Sequence, residues 1–185
     1  LSSAYTIGIE WKRNTQLVLY RMSGKSPLTA IVGKLLPQTL VFWLIAILYA
    51  VYFYRFLQFP CNSGLLPMIL IGMLTVLGAQ GLAAFFFGVC GQMRLSMCLC
   101  SLWGILSFSL AGFTFPVTAM DGILQKLSAL FPLRHYYLLY VNQALNGYSI
   151  VYAWHSLLAM AIFALLPLLT LRHYHSLFLN HKYVP

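Results

Sequence analysis

Acidic residues are nearly absent from this chain. Glu10 and Asp121 are the only two among 185 residues, against 11 lysines and arginines, and charged residues make up 7% of the sequence. A soluble domain contains roughly 25% charged residues, so this chain has too few charges to cover a surface that faces water. Two carboxylates far apart in the sequence also offer little for acid–base catalysis, and we expect no catalytic residues.

The motifs of nucleotide and metal chemistry are missing as well. Gly24-Lys25-Ser26 matches the end of a phosphate-binding loop, but Leu19 stands where that loop needs a glycine, and no strand precedes it. The four cysteines lack the paired spacing of a zinc site; they are Cys61, Cys90, Cys98 and Cys100. We therefore predict that this chain itself binds no metal and no nucleotide cofactor.

Apolar residues, by contrast, make up 61% of the chain. A helix needs roughly 20 mostly apolar residues to cross a bilayer, and four stretches qualify, at about residues 35–57, 64–89, 95–113 and 150–171. The sequence therefore predicts an all-α integral membrane protein with about four transmembrane helices in a domain of residues 35–171. The lipid bilayer is its first expected partner.

The lysines and arginines lie between these apolar runs. A nucleic-acid interface would need them clustered on one exposed face, so we predict no nucleic-acid partner. Cytoplasmic loops are enriched in lysine and arginine, and this bias favours a cytoplasmic location for both ends, including a basic tail at residues 172–185. The inside set is then Lys12, Arg13, Arg21, Lys25, Lys34, Arg94, Arg172 and Lys182, and the outside set is Arg55, Lys126 and Arg134.

Residues 1–34 precede the first predicted span. They begin without methionine and carry no signal peptide, so we interpret the chain as the C-terminal part of a longer protein. Residues 10–34 are too polar to cross the bilayer, and Leu17 and Tyr20 fall on one side of a helix. This pattern predicts an amphipathic helix on the cytoplasmic surface. Ser26-Pro27 predicts a break, followed by a second helix.

The segment of residues 114–147 is divided by Pro116 and Pro132 into two short amphipathic pieces. Apolar residues at helical spacing are Ile123, Leu124, Leu127, Leu130 and Phe131 in the first piece and Leu133, Tyr136, Tyr137, Tyr140, Val141 and Ala144 in the second. Tyrosine suits the boundary between membrane and water. We predict two re-entrant or interfacial helices at the outer leaflet, the alternative being a plain connector.

Gln80 is the one polar residue near the middle of a predicted span, in Gly78-Ala79-Gln80-Gly81. Small neighbours allow a second helix to approach closely, and a glutamine can then hydrogen-bond across the contact. A polar residue at this depth can also line a transport path. The sequence leaves both roles open.

The order of these segments resembles that of the membrane subunit of type-2 ABC exporters, over nearly the whole chain and most closely in the bacterial drug-export branch. Gly33-Lys34-Leu35-Leu36-Pro37 is similar to the glycine–lysine start of a family span. Phe113-Thr114-Phe115-Pro116-Val117 with Met120 is similar to the aromatic outer motif, which Leu130-Phe131-Pro132-Leu133-Arg134-His135-Tyr136 continues.

The resemblance implies that the surface helix is a coupling helix, which docks into a separate ABC ATPase subunit. The docking residues carried over are Glu10, Trp11, Lys12, Arg13, Asn14 and Thr15. Two positions depart from the family pattern: Asn14 replaces a glycine, and Gln16 and Leu17 stand where a second glutamate is usual. ATP and Mg²⁺ are expected on the ATPase alone.

The resemblance also implies a permease dimer in the bacterial inner membrane, with an apolar or amphipathic substrate moving outward between the copies. An optional periplasmic adaptor completes the expected partners. Candidates for the path or an outer gate are Gln80, Phe113, Phe115, Pro116, Phe131, Pro132 and Tyr136, whose aromatic members could equally be membrane anchors. Alternative functions are a membrane scaffold without cargo and a polysaccharide-exporting permease. An intramembrane enzyme would need a polar cluster within the spans, which the sequence lacks.

Overall fold

The computed structural model of the chain describes residues 1–113, 116, 119–148 and 150–180, with backbone alone at Ile150 and Asn180. All regular structure within these ranges is helical. The helices are α1 (Ser2–Lys12), α2 (Gln16–Met22), α3 (Pro27–Val51), α4 (Leu65–Cys90), α5 (Met93–Leu110), α6 (Gly122–Ser128), α7 (Pro132–Tyr140), α8 (Trp154–Leu165) and α9 (Leu171–Asn180). The all-α prediction is confirmed.

Short stretches of tighter or wider helix extend several of these elements. A π-helical turn continues α3 over Tyr52–Phe56, and another continues α7 over Val141–Leu145. Turns of 3₁₀-helix cover Ile150–Ala153 and Leu166–Thr170. The second of these contains Pro167 and joins α8 to α9, so that the two helices form one long rod with a local change of pitch at the proline.

Four helices in the described residues are long and apolar enough to cross a membrane: Pro27–Phe56, Leu65–Cys90, Met93–Leu110 and Val151–Leu179. The prediction of four transmembrane helices is thus confirmed. The first of these spanning helices, α3, begins at Pro27. Residues 27–34 therefore continue into the first span without a break, although the sequence analysis grouped them with the cytoplasmic region. The positions at which each helix enters the bilayer stay predictions.

The predicted break between the surface helix and the first span is present. Gly24 and Lys25 adopt positive φ angles of 68° and 61°, Ser26 is extended, and Pro27 occupies the first turn of α3. The proline ring disfavours a helical conformation at the preceding residue, and its missing amide proton costs nothing at a helix start. The chain therefore turns between α2 and α3 at the residues that the sequence indicated.

Helix α4 lies at the centre of the bundle and packs against α1, α3, α5 and α8. Its contact with α8 is close because Gly78 and Gly81 present no side chain there. A Cβ atom added at Gly81 would lie 2.8 Å from the Cα atom of Ala164, well inside van der Waals contact. The small residues around Gln80 therefore allow close helix approach, as the sequence predicted.

Two apolar clusters lie at opposite ends of the bundle. The cluster at the basic end joins α1, α2 and α9 to the spans and consists of Ile7, Trp11, Tyr20, Ala30, Ile31, Leu35, Ala84, Phe87, Met93, Tyr174, Leu177 and Phe178. The opposite cluster consists of Met68, Ile71, Leu139, Ala144, Ala153 and Met160. The basic-end cluster is the larger one, because it also packs α1 and α2 onto the spans.

The sequence analysis missed helices α1 and α9. Residues 172–185 were predicted only as a basic tail, whereas α9 continues to Asn180 and buries Tyr174, Leu177 and Phe178. Those three residues follow the i, i+3, i+4 spacing of one helix face, a signal that the basic and histidine residues around them obscured. Residues 181–185, including Lys182, lie outside the described part of the chain.

The two predicted outer helices correspond to α6 and α7, but they differ in packing. On α6, Ile123 is 82% exposed, and Leu124 and Leu127 are about 40% exposed. Helix α7 instead packs against α4, α5 and α8 and buries Leu139 completely. An exposed apolar face on α6 is suited to lipid contact, whereas α7 belongs to the helix bundle.

We predict that Gly81→Ala destabilises the protein by about 1–3 kcal/mol, because the new methyl group would overlap the backbone of α8. Thermal unfolding of the detergent-solubilised protein would measure the loss. Gly104→Ala is the matched control, since no atom lies within 4 Å of an added Cβ there. The control should gain about 0.5–1 kcal/mol from helix propensity. Equal unfolding temperatures for the two variants would contradict the close contact of α4 and α8.

Candidate coupling site and membrane cavity

Trp11 anchors the C-terminal end of α1 inside the bundle. Its side chain is 1% exposed, and its ring lies 4.9 Å between centroids from both Phe87 of α4 and Phe178 of α9. The indole Nε1 also donates a hydrogen bond to the Leu177 carbonyl oxygen at 3.3 Å. Trp11 is therefore a structural anchor of α1, and its contact with an ATPase stays a prediction.

A tight turn at residues 13–15 follows Trp11. The Arg13 amide donates to the Ile9 carbonyl oxygen at 2.9 Å, and the Thr15 amide donates to the Glu10 carbonyl oxygen at 2.9 Å. Between them, Asn14 has a φ of 55°, in the left-handed region. Glycine and asparagine are the residues that adopt this conformation at least cost. Asn14 is therefore suited to this turn.

Glu10 ties this turn to the first transmembrane helix. Its carboxylate forms an ion pair with Lys34 of α3 and accepts a hydrogen bond from the Thr15 hydroxyl. Burial by itself raises the pKa of Glu10. The hydrogen bonds from Lys34 and Thr15 and the charges of Lys34 and Arg13 outweigh burial, so the pKa falls below its ordinary value of 4.5.

The six predicted docking residues thus divide into two groups. Lys12, Arg13 and Asn14 are exposed and form what we call the basic turn, residues 12–14. Glu10, Trp11 and Thr15 are engaged inside the protein and hold the basic turn in place. Contact of the basic turn with a partner stays a prediction.

Gln80 makes the hydrogen bond between helices that the sequence analysis considered. The Thr39 hydroxyl of α3 donates to Gln80 Oε1 at 2.7 Å, and the Gln80 side chain is buried. The other amide atom, Nε2, has no hydrogen-bond partner. Gln80 also forms part of the wall of a cavity of about 640 Å³ between α3, α4 and the α8–α9 rod. It therefore both joins helices and lines a cavity.

The predicted gate residues do not share one set of contacts. Phe113 is 45% exposed and lies 4.5 Å between ring centroids from Tyr137, whereas Phe131 is buried against Trp103 at 4.8 Å. Tyr136 packs against the opposite cluster. Of the remaining candidates, Pro132 begins α7, Pro116 is exposed, and Phe115 lies outside the described residues. Their role in a gate stays a prediction.

The described residues contain no group of three or more His, Cys, Asp or Glu side chains that could hold a metal ion. Within the same ranges, the ion pair between Lys34 and Glu10 is the one salt bridge present.

Four apolar helices, a membrane-embedded cavity and a basic turn define a multi-pass membrane protein. The protein family described as "ABC-2 family transporter protein" matches residues 1–171 of the chain. The chain therefore belongs to the ABC-2 transporter family and is a permease of that type, not itself an enzyme. Neither the curated proteins nor the solved structures contain a match.

We predict that the ion pair between Glu10 and Lys34 makes stability depend on pH. The pKa of Glu10 is lowered in the folded state, so its contribution is complete above about pH 4.5 and disappears as the pH falls through the folded value. Partly exposed pairs contribute about 0.5–1 kcal/mol. A double-mutant cycle of Glu10→Gln and Lys34→Gln, measured by thermal unfolding in detergent, would give this coupling at neutral pH.

The same cycle at a pH below the folded pKa of Glu10, which itself lies below 4.5, is the control, because Glu10 is then protonated and no longer carries the charge that attracts Lys34. Glu10→Gln should also remove this part of the pH dependence. A coupling energy of equal size at both pH values would show that the ion pair does not fasten α1 to α3.

Proposed function

We propose that this permease exports an apolar or amphipathic molecule and that a separate ABC ATPase docks on the basic turn. The observation that carries the proposal is the placement of residues 12–14: they are exposed, yet their immediate neighbours are fixed to three membrane helices. Glu10 connects the turn to α3, and Trp11 connects it to α4 and to α9. A force on the turn is thereby passed directly to the transmembrane bundle.

Electrostatics favour an acidic groove as the docking partner. Lys12 and Arg13 are both exposed, and the nearby acidic side chain, Glu10, is already paired with Lys34. Glu10 also lies near enough to Arg13 for that charge to lower its pKa, but Lys34 balances the carboxylate, so the basic turn keeps a net positive charge. Complementary charge steers such partners together and fixes their orientation. ATP and Mg²⁺ bind and react on the ATPase, and this chain converts the movement of that subunit into a movement of α3 and α4.

We further propose that a second permease copy packs on α5. The side chains of Leu102, Ile105 and Phe108 are each more than half exposed, and among the four spanning helices α5 has the smallest buried share. It packs against α1, α4 and α7 but makes few contacts with α3 or α8. A transport path between two copies would then follow this face, with both chain ends in the cytoplasm and the complex in the bacterial inner membrane.

We predict that the double substitution Lys12→Glu and Arg13→Glu reduces co-purification of the ATPase about tenfold, equivalent to about 1.4 kcal/mol of binding free energy. Resistance of cells to the exported compound should fall in parallel. Quantitative immunoblotting of the ATPase after detergent extraction of the full-length protein gives the first value. Growth in the presence of the compound gives the second.

Arg172→Glu, which changes the net charge by half as much as the double substitution, is the control for added negative charge at this end of the bundle. Arg172 is exposed on α9 at the same end of the bundle, but it lies outside the basic turn. The control should retain the ATPase. If wild-type protein never brings down an ATPase, the exporter proposal fails and a membrane scaffold without cargo takes its place.

Cross-linking tests the α5 interface. Cys98 of α5 is the one exposed cysteine, so a short thiol-reactive cross-linker in native membranes should give a band of twice the monomer mass. Cys98→Ser should remove that band, and Ile105→Cys in the Cys98→Ser background should restore it, since Ile105 lies two turns further along the same face. If all three proteins give only a monomer band, either the second copy packs on another face or the permease has no second copy.

A further inference from the structure

The cavity between α3, α4 and the α8–α9 rod is long and narrow. Its wall on α3 extends from Leu28 to Trp43, which lie 15 residues and therefore about 22 Å apart along the helix. The wall is apolar apart from Thr39 and Gln80. One leaflet contributes about 15 Å to a hydrocarbon core of about 30 Å. A cavity of about 640 Å³ with this length therefore suits an extended acyl chain.

The cavity is open to the bilayer along one side. Five of its wall residues are each about half exposed, with exposed fractions between 46% and 58%; they are Val32, Leu36, Leu40, Leu165 and Leu168. These residues lie in the first and fourth spans, where lipid surrounds the protein. A membrane lipid can therefore enter the cavity sideways, without passing through water.

Apolar walls alone do not select one lipid over another. The tails of membrane lipids are as apolar as leucine side chains, so a tail gains little free energy by leaving the bilayer for the cavity. A preference for one lipid must therefore come from its head group. Such a preference requires polar side chains at the end of the cavity that reaches the membrane surface.

Two exposed cations flank the basic end of the cavity. Lys25 stands three residues before the wall residue Leu28, so their Cα atoms are at most about 11 Å apart. Arg172 directly follows the wall residue Leu171. Leu28 and Leu171 belong to α3 and α9, which pack against each other. One cation therefore stands on each of two neighbouring walls, and such cations attract anionic head groups.

The two acidic side chains of the protein lie away from this end of the cavity. Glu10 is paired with Lys34. Lys34 is two residues from both Val32 and Leu36, a rotation of about 200° around α3, so it faces away from the cavity. Asp121 lies in the segment between the third and fourth spans. The basic end of the cavity therefore keeps a net positive charge.

We propose that the cavity holds one acyl chain of an anionic phospholipid and that Lys25 and Arg172 bind the charged head group of this lipid. The lipid is a resident component of the permease, placed between α3 and the α8–α9 rod, and it is not the exported molecule. The site lies within one chain, so binding requires neither ATP, an ATPase nor a second copy. The inference thus goes beyond the proposed transport function.

Native mass spectrometry of the full chain in detergent tests this site through the first lipid adduct. Phosphatidylglycerol and phosphatidylcholine with identical oleoyl chains are titrated separately against delipidated protein without ATP. Phosphatidylglycerol should bind about tenfold more tightly, because it alone presents a net negative charge to the two cations. Glycerol 3-phosphate, which has the charge but no acyl chain, should not displace it.

The double substitution Lys25→Gln and Arg172→Gln should lower the affinity for phosphatidylglycerol to that for phosphatidylcholine. Lys12→Gln with Arg13→Gln is the matched control, because it also removes two exposed positive charges but removes them from the basic turn. The control should leave both affinities unchanged. Unfolding temperatures of the two proteins would confirm that they fold.

Val32→Trp tests the position of the acyl chain. It should weaken binding of both lipids about fivefold, because the indole occupies volume that the chain needs. Val41→Trp is the control: it places the same side chain on α3 at a position of similar exposure, 55% against 51%, that does not line the cavity. Binding of both lipids should be unchanged in this control.

Equal affinities for the two lipids in wild-type protein would overturn the proposal, and so would a preference that survives Lys25→Gln with Arg172→Gln. Displacement by glycerol 3-phosphate would assign the cations to a soluble anion. Loss of the preference in the basic-turn control would place the head group there, and equal losses in Val32→Trp and Val41→Trp would place the chain outside the cavity. Lipid binding without ATPase co-purification would leave this site standing while the export proposal fails.

Discussion

The burial of the Trp11 indole between α4 and α9 is the contact on which the polar end of the molecule depends. Inside a bilayer, lipid is as apolar as the helices, so association of the spans comes from close packing and hydrogen bonds. At the basic end, burial of aromatic side chains away from water adds hydrophobic stabilisation to this packing. The contacts of Trp11 with Phe87 and Phe178 thereby fix α1 onto the spans. The position of the basic turn, and hence any docking there, follows from this packing.

The use of the two acidic residues has a related consequence. Glu10 is committed to Lys34 and Thr15, while Asp121 lies exposed in the segment between the third and fourth spans. The carboxylate of Glu10, which lies near Arg13, is therefore balanced by Lys34, and the basic turn keeps a net positive charge. Pairing of one acid with a lysine of the first span thus performs two tasks: it attaches α1 to the bundle, and it leaves Lys12 and Arg13 available to a partner.

The spans and the break at Ser26-Pro27 could be predicted from the sequence. A bilayer permits few backbone structures, and proline restricts the backbone conformation of the residue before it. Helices α1 and α9 escaped prediction since their apolar faces are short and interrupted by polar residues. The burial of Trp11 was missed for the same reason, since in the sequence it stands among charged residues. The hydrogen bond of Gln80 to a second helix is one of the two roles that the sequence left open, whereas the cavity beside it depends on three helices distant in sequence.

The glycine contact between α4 and α8 has a mechanical consequence for the cavity. Backbones that touch at Gly81 and Ala164 can neither slide nor separate without losing a tightly fitted surface, so two of the three cavity walls form one stiff unit. The third wall, α3, is joined to α4 through side chains, by the bonds of Thr39 with Gln80 and of Trp43 with Met73. Side-chain joints yield more easily than backbone contacts. A change in cavity volume would therefore occur through a swing of α3, the helix that Lys34 connects to the basic turn.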